Sequence, residues 1–173
     1  MKIRLANQED LNQIMNIIND AKIYLKNQGL KQWNLADGYP QKEVLLNDIN
    51  DGSCYVLEQN NSLIATMSII FETDENYNEI ENGNWLTNNK YASIHRIAIK
   101  NDFHHLKLGI TMLLEAEKIV KNNNIFSIKI DTHNKNIPMT KTILNAGYTY
   151  CGIITLKRSN EDNKRDAYEK KLD

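Results

Sequence analysis

S-I-H-R-I-A-I-K-N-D-F-H-H-L-K-L-G-I-T-M-L-L, Ser93 to Leu114, is the stretch that decides how this chain reads. It begins as an apolar strand, passes through a short basic loop and ends in the opening turns of an amphipathic helix. A strand that feeds a loop and a helix start suits a phosphate-bearing cofactor. The first helical N–H groups lack partners inside the helix, and the helix dipole presents its positive end there. The loop carries a single glycine, Gly109, fewer than such sites usually have.

Outward from that stretch, the pattern of apolar residues gives an order of elements. Ile3 to Ala6 reads as a short strand. Asn7 caps a helix from Gln8 to Asn27, with Asp10 at its third position. Leu11, Ile14, Ile18, Ala21 and Leu25 form the apolar face of that helix, and Gly29 ends it. An irregular loop with Trp33, Tyr39 and Pro40 follows, Pro40 opening a second helix that runs to Asn50. Ser53 to Glu58 and Leu63 to Phe71 flank the polar turn Gln59-Asn60-Asn61-Ser62 as a hairpin.

Thr73 to Asn89 is polar and acidic, with Tyr77, Ile80 and Trp85 as packing anchors and a helical turn expected inside it. Then come a strand (Ala92 to Ile99), a helix (Ile110 to Asn122), a strand (Phe126 to Asp131) and a helix (Asn136 to Asn145). Strands from Tyr148 to Leu156 and Arg165 to Lys171 close the chain around a polar turn at Ser159 to Lys164. The unit from Ala92 to Asp131 is a crossover with parallel strands. Hairpins on either side make the sheet mixed.

Composition narrows the function classes. The 173 residues are 41% hydrophobic and 25% charged, which is globular and fits a single domain. With 21 basic against 22 acidic residues there is no cationic excess of the kind nucleic-acid and membrane-surface proteins use. No run approaches the roughly 20 apolar residues that span a bilayer, and the Met1 to Ala6 start lacks the apolar core of a signal peptide. Cys54 and Cys151 lie far apart and read as small buried residues, reduced in a cytoplasmic protein. His104 and His105 are adjacent and have no third ligand nearby, so no metal is assigned.

Three segments then carry a family resemblance. I-H-R-I-A-I (Ile94 to Ile99) precedes a loop and the helix L-L-E-A-E-K-I. S-I-K-I-D-T-H-N-K-N-I-P-M (Ser127 to Met139) is a strand with an asparagine-containing turn, and A-G-Y-T-Y-C-G (Ala146 to Gly152) is a closing strand. In that order they resemble the GNAT-type N-acetyltransferases, which transfer an acetyl group from acetyl-CoA to an amine. G-L-K-Q-W (Gly29 to Trp33) and A-Y-E-K (Ala167 to Lys170) are similar to one bacterial subgroup of that family. The resemblance implies an α/β fold: one GNAT-like three-layer α/β/α domain over residues 1–173, around a mixed, twisted sheet of about seven strands.

The same resemblance implies roles for single residues. Acetyl-CoA is the expected co-substrate. Ile97, Ala98 and Ile99 would hold its pantetheine arm through backbone groups, and Asn136 and Met139 would lie along that arm. The pyrophosphate would sit at His104, His105, Leu106, Lys107, Leu108, Gly109, Ile110 and Thr111. The family pattern Q/R-x-x-G-x-G/A falls on His105 to Ile110, so Leu108 and Ile110 stand where the family keeps small residues. A one-residue slip would make Gly109 the residue of close approach, with Thr111 starting the helix.

His95 stands on the central strand at or near the family's general base, and an imidazole can take a proton from an ammonium in the neutral range. The alternative is a structural histidine. Arg96 points the other way, toward a carboxylate. The family's tyrosine acid falls on Ile143, which leaves that role empty, and Tyr148, Tyr150 and Tyr168 read as packed aromatics. Trp33 and Tyr39 are the expected lining of the acceptor pocket, core cover being the alternative. The acidic run from Glu72 to Glu81 is either a solvated surface or a rim that attracts cationic amines. The expected partner is a small-molecule or peptide amine, without nucleic acid or membrane; a homodimer is left open. Two other readings remain: a catalytically degenerate CoA-binding or sensor module, and an acyltransferase using another acyl-CoA.

Overall fold

A computed structural model describes residues 1–33, 38–157 and 162–173, with His105 by its backbone alone. Part of the loop from Gly29 to Pro40, and residues 159–161 of the expected last turn, lie outside the described residues. The elements are β1 (Lys2–Leu5), α1 (Leu11–Asn27), α2 (Lys42–Asn50), β2 (Cys54–Gln59), β3 (Ser62–Ile70), β4 (Ala92–Ile99), α3 (Leu108–Asn122), β5 (Ser127–Thr132), α4 (Ile137–Asn145), β6 (Thr149–Thr155) and β7 (Lys164–Lys171). Their order is the one the sequence pattern gives. The seven strands lie in the order β1-β2-β3-β4-β5-β7-β6. β4 and β5 pair in parallel, Ala92 to Ile94 against Ile128 to Ile130, whereas the pairs β1–β2, β2–β3, β5–β7 and β6–β7 are antiparallel. The mixed α/β sheet is therefore as expected.

The described residues form two compact units, one of residues 1–69 with 95–112 and one of residues 70–94 with 113–173. In the first unit, Asn7 and Asp10 make a capping box: Asn7 Oδ1 accepts from the Glu9 N–H at 2.9 Å, and Asp10 Oδ2 accepts from the Asn7 N–H at 2.9 Å. Arg4 grips the same Asp10 with both terminal nitrogens (2.6 and 2.9 Å), holding its carboxyl below the usual range. Gly29 closes α1 with φ +72°, while the Leu30 N–H reaches back to the Leu25 carbonyl at 3.0 Å. Asn60 and Asn61 both have positive φ, the twist-matched turn for the β2–β3 hairpin.

Ile14, Ile17, Ile18, Leu45, Ile49, Val56, Leu63 and Ala98 pack as the core of this unit. α2 starts at Lys42, later than Pro40 suggests. The Pro40 carbonyl instead accepts from buried Lys22 of α1 at 3.1 Å, alongside Gly38 O at 2.6 Å.

The second unit is organised around buried polar groups. Glu169 of β7 is fully buried and accepts from the Ser127 hydroxyl (2.6 Å), the Thr87 hydroxyl (2.6 Å) and the Leu86 N–H (2.6 Å). Directly across the β5–β7 ladder is Lys129, its ammonium 4.0 Å from the ring centres of both Trp85 and Tyr91. This is a desolvated cation held by aromatic faces, and burial pulls its pKa below the ordinary lysine value.

The expected helical turn after β3 is the short 3₁₀ turn Glu75–Tyr77. Tyr77, Ile80 and Trp85 pack as anticipated, with Tyr91, Ile154 and Ala167. The Tyr77 hydroxyl donates to Asp131 at 2.7 Å. Gly83 lies so close to β6 that a Cβ would fall 2.0 Å from the Cys151 carbonyl oxygen, so no side chain fits there. Among the described residues no helix is long and apolar enough to cross a membrane.

Candidate active site

The decisive local feature is a break in the pleat of β4. Arg96, inside the strand, has φ +53°. A side chain in the left-handed region costs about 1–3 kcal/mol and persists only where surrounding contacts over-determine it. Those contacts are present. Asp48 of α2 is buried and takes the guanidinium on both oxygens, Nε to Oδ2 at 2.5 Å and Nη2 to Oδ1 at 2.9 Å. The Ser68 hydroxyl of β3 donates to Asp48 Oδ2 at 2.6 Å, and the Ser53 hydroxyl donates to the Asp48 carbonyl at 3.0 Å. Arg96 Nη1 donates to the Tyr39 hydroxyl at 3.1 Å. Burial works against the Arg96 charge, but Tyr39 and Asp48 outweigh it and hold the group above its ordinary value.

The expected pairing of Arg96 with a carboxylate is thus found, with a consequence for the backbone. A positive φ inside a strand breaks the regular pleat at that residue, and the β4–β5 pairing ends two residues before it, at Ile94. Arg96 lies between His95 and Ile97, both half-buried, while Ala98 beyond it is buried in the α1–α2 core. The sequence contains a signal for Asp48 that composition alone hides. Leu45, Asp48 and Ile49 share one face of α2, so a carboxylate stands on an apolar stripe and needs a buried partner.

After β4 the chain folds down onto its own strand end. The Lys100 N–H bonds the Ile64 carbonyl of β3 at 2.9 Å, and the 3₁₀ turn Asn101–Leu106 follows. His104 Nε2 hydrogen-bonds the Ile99 carbonyl at 2.9 Å, and its ring stands edge-on to Tyr24 with centroids 5.1 Å apart. His104 is therefore engaged with the strand and α1. Ile99, expected to offer its backbone to a cofactor, already gives its carbonyl to His104.

The helix start corrects the sequence expectation. α3 begins at Leu108, not at Ile110 or Thr111, and Lys107 just before it is left-handed (φ +54°). The physical reason is Leu108, which is 4% exposed and commits its side chain to the core, drawing the first turn two residues earlier. The Lys107 carbonyl accepts the Ile110 N–H at 3.0 Å, while Gly109, a residue without a side chain of its own, sits half-exposed in the first turn. No acidic residue lies in that turn, and Lys107 and Leu106 are exposed.

The remaining candidates divide. Trp33 packs against the α1–α2 core, and Tyr39 is held by Arg96. Asn136 and Met139 belong to the second unit, where Asn136 Oδ1 caps α4 by accepting the Met139 N–H at 3.3 Å. Ile143 is fully buried, and burial pushes the Tyr148 phenol far above its ordinary value, which makes it a poor proton donor. Glu75 and Glu81 of the acidic run pair with Lys157 and Lys164. Both cysteines are buried and unbridged, the Cys54 thiol pushed up to about 11 by burial. Among the described residues no cluster of three or more His, Cys, Asp or Glu side chains could hold a metal ion.

Residues 11–148 match the acetyltransferase (GNAT) family. The chain belongs to that family. An acetyltransferase GNAT family structure from Streptococcus agalactiae 2603 superposes with a TM-score of 0.89 at 32% identity, over 99% of this chain and 95% of that one. The PaiA N-acetyltransferase of Thermoplasma acidophilum, solved in complex with coenzyme A, shares the fold with a TM-score of 0.69 at 21% identity, over 99% and 98% of the two chains. A spermidine N(1)-acetyltransferase, also of T. acidophilum, is 40% identical over 45 residues, which is 26% of this chain and 28% of that protein. The left-handed Arg96 of β4 and the α3 start are thus features of a GNAT-family chain.

Proposed function

We propose that this chain is an acetyl-CoA-dependent N-acetyltransferase that moves an acetyl group directly to a primary amine, with residues 1–173 acting as one domain. The observation that carries the reading is the left-handed Arg96 within β4, in the same compact unit as the first turn of α3. Backbone groups near Ile97, just past the left-handed residue, would serve an amide-bearing pantetheine arm as an added strand would use them. The α3 start offers N–H donors, a bare Gly109 backbone and the Lys107 cation to a pyrophosphate. For Asn136 and Met139, in the second unit, the reading is the one the resemblance implies, contact with a pantetheine arm.

In the proposed reaction His95 takes a proton from the acceptor ammonium, and the amine attacks the thioester carbonyl, polarised by backbone N–H groups. The C–N bond forms, the C–S bond breaks, and the second proton of the amine passes through water to the departing CoA thiolate. The spermidine N(1)-acetyltransferase match makes a polyamine the first acceptor to try.

A thermal-shift titration tests the cofactor half. CoA and acetyl-CoA should raise the melting temperature, and Lys107→Ala should weaken that binding on the order of fivefold, with the difference shrinking in salt. No stabilisation by either compound would contradict the reading. Leu108 and Ile110 at the α3 start and Ile143 in the acid position favour one alternative, a CoA-binding sensor; stabilisation without turnover of any amine would select it.

A further inference from the structure

A second histidine, outside the machinery described so far, sits where the end of β5 turns into α4. His133 is 4% exposed, and both ring nitrogens are engaged. Nδ1 accepts the Lys135 N–H at 3.1 Å, which fixes the tautomer: Nε2 carries the proton and donates it to Asp162 Oδ1 at 2.8 Å. The His133 carbonyl accepts the Asn136 N–H at 2.8 Å. The ring of His133 thus holds Lys135 and its carbonyl holds Asn136, whose own side chain caps α4 through Met139. Asp162 is fixed in turn, because its carbonyl accepts from buried Arg165 at 2.7 Å.

The ring thus ties the β5–α4 turn, from inside, to the start of the β7 segment.

We propose that His133 is a positioning residue for the cofactor, setting the backbone that presents Asn136, with Asp162 as its anchor. The inference rests on the reading that Asn136 contacts the pantetheine arm. Its signature is selective: His133 touches neither the reacting carbon nor the amine, so losing it loosens cofactor binding and leaves the chemical step nearly alone.

Steady-state kinetics with acetyl-CoA as the varied substrate, together with CoA thermal-shift titration, tests this on the whole chain. His133→Ala should raise KM for acetyl-CoA and weaken CoA binding about tenfold, with kcat within about twofold of the parent. His133→Asn should recover most of that loss, because its amide oxygen takes the place of Nδ1 toward the Lys135 N–H. Asp162→Asn, at an accessible surface carboxylate, serves if the alanine variant does not fold, and should weaken CoA binding by a smaller factor in the same direction. An unchanged KM in His133→Ala, a fall in kcat alone, or no recovery in His133→Asn would overturn the proposal while the parent enzyme still binds CoA. A parent protein that does not bind CoA would instead overturn the underlying reading, and this inference with it.

Discussion

Asp48→Ala is expected to destabilise the protein by about 3–5 kcal/mol, the usual cost of removing one partner from a buried ion pair. The Arg96 and Asp48 side chains are 11% and 10% exposed, so water cannot replace the lost carboxylate. The loss leaves the guanidinium without its two-pronged acceptor and the Ser68 hydroxyl without the Asp48 oxygen to which it donates at 2.6 Å. For a domain of this size the melting temperature should fall on the order of 10 °C.

The same change removes what holds Arg96 at φ +53°, so the strand should relax toward a regular pleat. Activity in the folded fraction should fall with it. Asp48→Asn keeps the shape and one acceptor oxygen and should cost less. The double variant Asp48→Ala/Arg96→Met should recover part of the loss, because it removes the stranded charge. Urea unfolding decides the matter: an Asp48→Ala protein within about 1 kcal/mol of the parent would show that this pair does not support the left-handed backbone.

The second large effect is on chemistry. His95→Ala should lower kcat/KM by about 10²–10⁴-fold, the range that general-base catalysis contributes. Stability should change little by comparison, since His95 is only half-buried. Gln in its place should not restore the rate, because an amide can hydrogen-bond the amine but cannot take its proton. Near-parental activity in His95→Ala would remove it from the base role and leave a structural histidine.

These two expectations differ in how much of them the sequence carried. The order of elements was legible because strand alternation and helical spacing are local. The capping box at Asn7 and Asp10 and the Asn60-Asn61 turn are local as well. The crossover from Ala92 to Asp131 followed for the same reason, and it brought the family resemblance with it.

Arg96 was a different case. Nothing in I-H-R-I-A-I marks a left-handed residue, because the cause lies 48 residues away on α2 and 28 away on β3. Lys129 shows the same limit: S-I-K-I-D-T alternates as if its polar face were open to water. The segment carrying Trp85 and Tyr91 covers that face, and only the tertiary fold brings it there. At the α3 start, the missing glycines drew attention to Gly109. The burial of Leu108, a long-range matter, set the helix boundary instead.

The most direct test of the account is the release of free thiol from acetyl-CoA by the intact protein, measured against spermidine and a panel of other primary amines. The account predicts release that depends on the amine and saturates in both substrates, with an equivalent amount of acetylated amine formed. Stable acetyl-CoA in the presence of every amine, with the protein folded, would contradict it.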